Sequence, residues 1–216
     1  SRAARARDDE LSPAEALKLA DDLADLGCRN LTLGGGEPLL REDWPQICER
    51  LVSRGVRTNM VTNGRSWSEH TVKTAKSVGL ESVAFSIDGL EDTHTYVRRL
   101  KGHFAHLLDC IAACREGGLT VSTITMVHRR NFEELDALRA LLAEHKVERW
   151  QLQLGNATGN MSDHPELCLN PEDVLTVVPK IAELRRLPGR PKVFPAHNVG
   201  YFGEPEADLR DDGGAI

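Results

Sequence analysis

Two hydrophobic periods alternate along the chain. Ala16, Leu19, Ala20, Leu23 and Leu26 fall on one face at helical spacing, the stripe of an amphipathic helix. Ser12 stands at its N-cap, Pro13 at its first position, and Glu15 completes a capping box. Gly27 ends it. A short apolar strand follows over residues 30–33 and runs into Gly34-Gly35-Gly36. The unit then repeats: helix 44–54 stopped by Gly55, strand 58–62, helix 68–78 stopped by Gly79, strand 82–87. The second half keeps the rhythm, with helix 104–116 ending at Gly117-Gly118 and strand 119–127. Asn131 with Glu134 predicts a cap for a helix carrying Leu135, Leu138 and Leu142. Strand 149–154 follows, then a helix capped by Asn170-Pro171-Glu172-Asp173 with Val174, Val177, Ile181 and Leu184 on one face, then a weak strand at 192–195.

Strands alternating with helices predict an α/β fold with parallel strands joined by right-handed crossovers. In such folds ligands gather at the C-terminal ends of the strands. Three polar, glycine-containing turns lie there: Gly34 to Glu37, Thr62-Asn63-Gly64 and Ser86-Ile87-Asp88-Gly89.

Composition narrows the class. Hydrophobic residues at 40% and charged residues at 28% of 216 are ordinary globular values that exclude wholesale disorder. A net charge of −6 and a pI near 5.8 argue against a nucleic-acid binder working through bulk charge. No run of about 18 apolar residues predicts a membrane span, and residues 1–10 lack the apolar stretch of a signal peptide. Five cysteines are an odd number for a disulfide framework. The expectation is a soluble, cytoplasmic protein. Residues 1–190 form the predicted α/β domain, and 191–216, with a non-periodic acidic tail, a linker.

The motifs carry candidate chemistry. Glycines at 34–36 permit positive φ and close approach of the backbone to a ligand, and Glu37 behind them suits charge-assisted hydrogen bonds from an ammonium. Leu39 occupies the third glycine position of a dinucleotide fingerprint, which excludes that reading. Ser86 and Asp88 are an i, i+2 pair whose side chains share one face of a strand and suit a ribose. Arg98 and Arg99, read as part of the next loop, suit a carboxylate. His103 and His106 read as surface histidines, and His197-Asn198 with Tyr201 as an ordinary loop, with the substrate side of the rim as the alternative reading.

The run LTLGGGEPLL, then MVTNG, then VAFSIDG with His94 to Arg98 behind it, resembles the radical S-adenosylmethionine (radical SAM) superfamily. It is most similar to members that carry a C-terminal SPASM domain and modify peptides. The resemblance implies a partial (β/α)6 barrel that holds SAM beside a [4Fe–4S] cluster. There a 5′-deoxyadenosyl radical is made to act on a peptide or small molecule, with electrons from a donor such as flavodoxin or ferredoxin. It implies that Gly35, Gly36, Glu37 and Pro38 receive the SAM amino group, with Asn63 at the next strand end. It places Ser86 and Asp88 near the ribose or carboxylate, Arg98 beside them, and Thr125 and Leu154 along the nucleoside.

One departure stands out. The family's C-x-x-x-C-x-x-C triad is absent from these 216 residues. Cys110 and Cys114 have its first spacing, but Gly117 takes the third place, and both read as buried helix residues beside Leu107 and Ile111. Cys28, Cys48 and Cys168 are scattered near helix ends or in a loop. The resemblance therefore implies a chain lacking the family's first strand and cluster loop, cut also before a SPASM domain. Two rivals remain at this level. A cluster-free barrel enzyme of the aldolase or sugar-phosphate type would need a lysine or phosphate grip at a strand end, and no lysine lies inside the clear strands. A non-catalytic SAM-binding relic would keep the pocket without iron.

Overall fold

A computed structural model describes residues 9–155, 159–196, 199, 203–206 and 209. Helix α1 (Pro13–Asp25), strand β1 (Asn30–Leu33), α2 (Trp44–Ser53), β2 (Arg57–Thr62), α3 (Glu69–Ser77) and β3 (Ser82–Ser86) come first. They are followed by α4 (Glu91–Arg98), α5 (His103–Glu116), β4 (Thr120–Val127), α6 (Leu135–Glu144), β5 (Arg149–Leu154), α7 (Val174–Arg186) and β6 (Lys192–Pro195). The predicted α/β alternation is present throughout. The chain divides into two compact units, Ser1–Ser86 with Ala105–Val121, and Ile87–Phe104 with Ser122–Ile216.

In the first unit β1, β2 and β3 pair in sequence order, all parallel. Asn30 to Leu33 lie opposite Arg57 to Met60, and Asn59 to Thr62 opposite Ser82 to Phe85. Local chemistry explains the start of α1: Ser12 accepts from the Glu15 amide while Glu15 accepts from Ser12 N–H at 2.8 Å. The side chains of α1 and α2 then bury Ala20, Leu51 and Val56 against Leu31 and Leu33 of the sheet. Trp67 meets Phe85 edge to face, with centroids 5.4 Å apart, an arrangement that adds to simple area burial.

In the second unit β4, β5 and β6 are likewise parallel and in order, with Ser122 to Val127 opposite Arg149 to Leu154 and Arg149 to Leu152 opposite Lys192 to Pro195. The weak strand at 192–195 is thus a full member of this sheet. Leu135, Leu138 and Leu142 of α6 and Val177, Ile181 and Leu184 of α7 are buried, as their spacing predicts. Asn170 N–H donates to Asp173 at 2.7 Å, opening a single 3₁₀ turn (Pro171–Asp173) that leads into α7.

Three local expectations are corrected. Residues 91–98 form α4 rather than a loop, with Arg99 as its left-handed C-cap. Asn131 and Glu134 do not cap α6; a 3₁₀ turn (Phe132–Glu134) precedes that helix, and both side chains serve partners elsewhere. Cys48 lies inside α2, fully buried, rather than near a helix end. Among the described residues no helix is long and apolar enough to cross a membrane.

Candidate functional site

In the first unit the chemistry gathers where β1 and β2 end. Pro38 holds the residue before it in extended backbone, and Glu37 sits at φ −155°, ψ 113°. From there its side chain turns back on the chain. Glu37 Oε1 accepts from Thr62 Oγ1 at 2.7 Å and from Leu39 N–H at 3.3 Å, and Oε2 accepts from Asn63 N–H at 2.8 Å. The carboxylate after one strand is therefore fixed by the end of the next. Gly34, Gly35 and Gly36 beside it are exposed. Gly35 adopts φ +109°, where an L side chain is strained, and a Cβ at Gly34 or Gly35 would meet nothing within 4 Å. Asn63 Oδ1 closes its own turn by accepting from Arg65 N–H at 2.8 Å.

In the second unit Asp88 is the centre. It lies two residues past the end of β3, so the strand alternation expected to align it with Ser86 stops short of it. Ser86 is half-buried, whereas Asp88 is 2% exposed. Three of the four polar atoms of Asp88 are hydrogen-bonded, and the fourth meets a charge. Its N–H donates to His94 Nδ1 at 3.1 Å, and its carbonyl accepts from Asn131 Nδ2 at 3.0 Å. Oδ1 accepts from Met126 N–H at 3.1 Å, and Oδ2 lies 2.7 Å from the Arg98 guanidinium. That last contact is an ion pair without hydrogen-bond alignment, which leaves Asp88 Oδ2 and Arg98 Nε as buried atoms with no hydrogen-bond partner. Arg98 reaches Asp88 from the last turn of α4, not from a loop.

Residues far along the chain hold this arrangement. Glu134 accepts from Leu90 N–H at 2.8 Å and from Thr93 Oγ1 at 2.6 Å. It crowds the turn so closely that a Cβ on Gly89 would stand 2.7 Å from its carboxylate. Asn131 accepts from His128 N–H and donates also to the Met126 carbonyl. His94 is fully buried, and its Nε2 lies 2.9 Å from His103 Nδ1. Burial pushes His94 down to about 4, with Arg98 and His103 adding to the effect and Asp88 opposing it. Spacing arguments miss Asn131, Glu134, His94 and His103. Asn131 and Glu134 do stand out in the sequence, but as a helix cap.

Thr125, on β4, is fully buried; its hydroxyl donates to the Ile87 carbonyl and accepts from Trp150 Nε1 at 2.8 Å. Leu154 is the half-buried last residue of β5. His103 and His106 are not surface residues: His103 is buried, and His106 is half-buried with its ring 3.1 Å from the Gly64 carbonyl. Both lie where α5 begins and turns its first residues inward. His197, Asn198 and Tyr201 lie outside the described residues.

All five cysteines are free thiols. Burial raises Cys110 to about 11 and Cys114 to about 12, the reverse of the thiolate a metal requires. Among the described residues no group of three His, Cys, Asp or Glu is placed to hold a metal ion.

Curated relatives include an Fe-coproporphyrin III synthase of Methanosarcina barkeri, 34% identical over 142 residues, 66% of this chain and 36% of that protein. A PqqA peptide cyclase of Xanthomonas axonopodis pv. citri is 25% identical over 180 residues, 82% of this chain and 48% of its own length. The chain thus spans less than half the length of these curated relatives. Among solved structures, Streptococcus suis SuiB bound to its precursor peptide SuiA superposes with a TM-score of 0.71 at 14% identity, covering 89% of this chain and 44% of SuiB. That likeness shows a shared α/β fold. Residues 1–142 match the radical SAM superfamily, and the chain belongs to that family of enzymes.

Proposed function

We propose that the protein carrying this chain is a radical SAM enzyme that binds SAM at the strand ends described above and modifies a peptide. The carrying observation is the Glu37 carboxylate. Three donors fix it, yet a carboxylate offers about four acceptor directions, and the exposed glycines leave its approach open. That chemistry fits the SAM ammonium. Asp88 Oδ2 and Arg98 Nε, buried without hydrogen-bond partners, fit a ligand that offers both a hydroxyl donor and a carboxylate acceptor. Ser86 supplies a second hydroxyl nearby in sequence. Asn63 acts through its backbone on Glu37, Thr125 by fixing the Ile87 carbonyl, and Leu154 as apolar surface. Gly35, Gly36 and Pro38 shape the turn.

Bound SAM supplies hydrogen-abstracting radical chemistry in this family; the part of these residues is to bind, orient and exclude water. The described residues do not fit a [4Fe–4S] cluster, because no ligand set is present among them. A peptide substrate is supported by the relatives, one named a PqqA peptide cyclase and another solved with a precursor peptide. We assign an electron donor such as flavodoxin or ferredoxin, a cytoplasmic setting, and a radical SAM domain over residues 1–190 followed by a linker.

Equilibrium dialysis against SAM of the anaerobically purified, iron–sulfur-reconstituted full-length protein that carries this chain tests the reading. Glu37→Gln keeps the shape but loses the charge and should weaken binding about tenfold to a hundredfold, as expected for a charge-assisted hydrogen bond. Unchanged binding, or no 5′-deoxyadenosine from the reconstituted wild type under reduction, overturns it.

A further inference from the structure

Asp88 is held through its backbone as well as its side chain, and the backbone tether is a histidine. The Asp88 amide can only donate, so His94 Nδ1, 3.1 Å away, carries no proton. Nε2 of the neutral ring must then carry the proton and donate to His103 Nδ1 at 2.9 Å. His103 stacks on His94 with ring centroids 5.1 Å apart, and Phe104 packs on the same ring at 5.7 Å. Thus one side of the His94 ring is aimed at the turn after β3, and the other is locked by α5. The same helix, α4, that carries His94 carries Arg98 four residues on, against the Asp88 carboxylate.

From this juxtaposition we propose that His94 is a positioning residue. As a proton-free acceptor it pins the Asp88 amide, so that the carboxylate stands against Arg98 in the orientation the ligand meets. His103 fixes the tautomer that makes this possible. The inference rests on the SAM reading of Asp88 and Arg98, and it concerns how that pair is held rather than what it contacts.

Two near-isosteric substitutions separate positioning from packing. Asparagine places its carbonyl oxygen where Nδ1 lies and keeps an acceptor for the Asp88 amide. Glutamine places its amide near Nε2, which keeps contact with His103 but leaves the Asp88 amide unpaired. We expect His94→Asn to bind SAM within about threefold of wild type and His94→Gln about tenfold more weakly, the equivalent of one lost hydrogen bond to a buried donor. Hydrogen exchange at the Asp88 amide should stay slow in wild type and His94→Asn and quicken in His94→Gln. Equal binding by the two variants, or better binding by His94→Gln, overturns the proposal. Should neither variant fold, nitrogen NMR of the wild-type ring decides: an unprotonated Nδ1 with a protected Asp88 amide supports it, a protonated Nδ1 refutes it. A wild type that binds no SAM refutes the reading of the site instead, and the ring tautomer and amide then judge the tether on their own.

Discussion

At the scale of single residues, His94 shows how burial becomes a pH dependence. Its ring has no solvent contact, and its folded value of about 4 lies below the ordinary 6.5. A histidine with a depressed folded value is neutral in the fold but protonates in the unfolded chain. Its contribution is therefore complete above pH 6.5 and is lost as pH falls towards 4, on the order of 3 kcal/mol in all. Urea midpoints for wild type should fall across that window, and those for His94→Asn, which has no titrating ring there, should fall less. Glu37 and Asp88 were legible in the sequence because a charged residue beside glycine at a strand end is a local pattern. His94 was not, since a lone histidine in a polar stretch carries no signal of the backbone amide six residues earlier that it accepts from.

At the scale of elements, α4 is the instructive case. Leu90 at its N-cap has no side-chain acceptor to offer, and Glu91 to Arg98 has no apolar stripe, so periodicity reads it as loop. The missing cap arrives from Glu134, 44 residues along the chain at Leu90 N–H, and it also brings negative charge to the helix start, where the backbone dipole favours it. By contrast α1 carries its own capping box and is visible at once. Glu134→Ala should cost about 1–2 kcal/mol, the worth of a lost cap, and should speed exchange of the Leu90 amide, from which Glu134 accepts, and of the His94 amide, bonded to the Leu90 carbonyl, ahead of the sheet. Exchange unchanged at those amides would mean that α4 stands without its distant cap.

At the scale of the whole molecule, each unit has its own buried core and its own parallel strands in sequence order, which the alternation of periods foretold. Helix spacing also foretold that Cys110 and Cys114 are enclosed, but not that Cys48 is. Cys48, Cys110 and Cys114 are buried, with Cys48 also raised to about 12, while Cys28 and Cys168 are half-buried. Iodoacetamide at pH 8 should therefore label Cys28 and Cys168 first and the other three only on unfolding, as peptide mass spectrometry would show. Early labelling of Cys48, Cys110 or Cys114 would contradict the packing.

The three donors on Glu37 have an entropic corollary. A glutamate free in water gives up about 1.5–2 kcal/mol of rotamer freedom when something pins it. Glu37 has already given that up in folding, to Thr62, Leu39 and Asn63. A cation arriving at this strand end meets a side chain with little left to lose, so its affinity is not diluted by ordering the group that receives it.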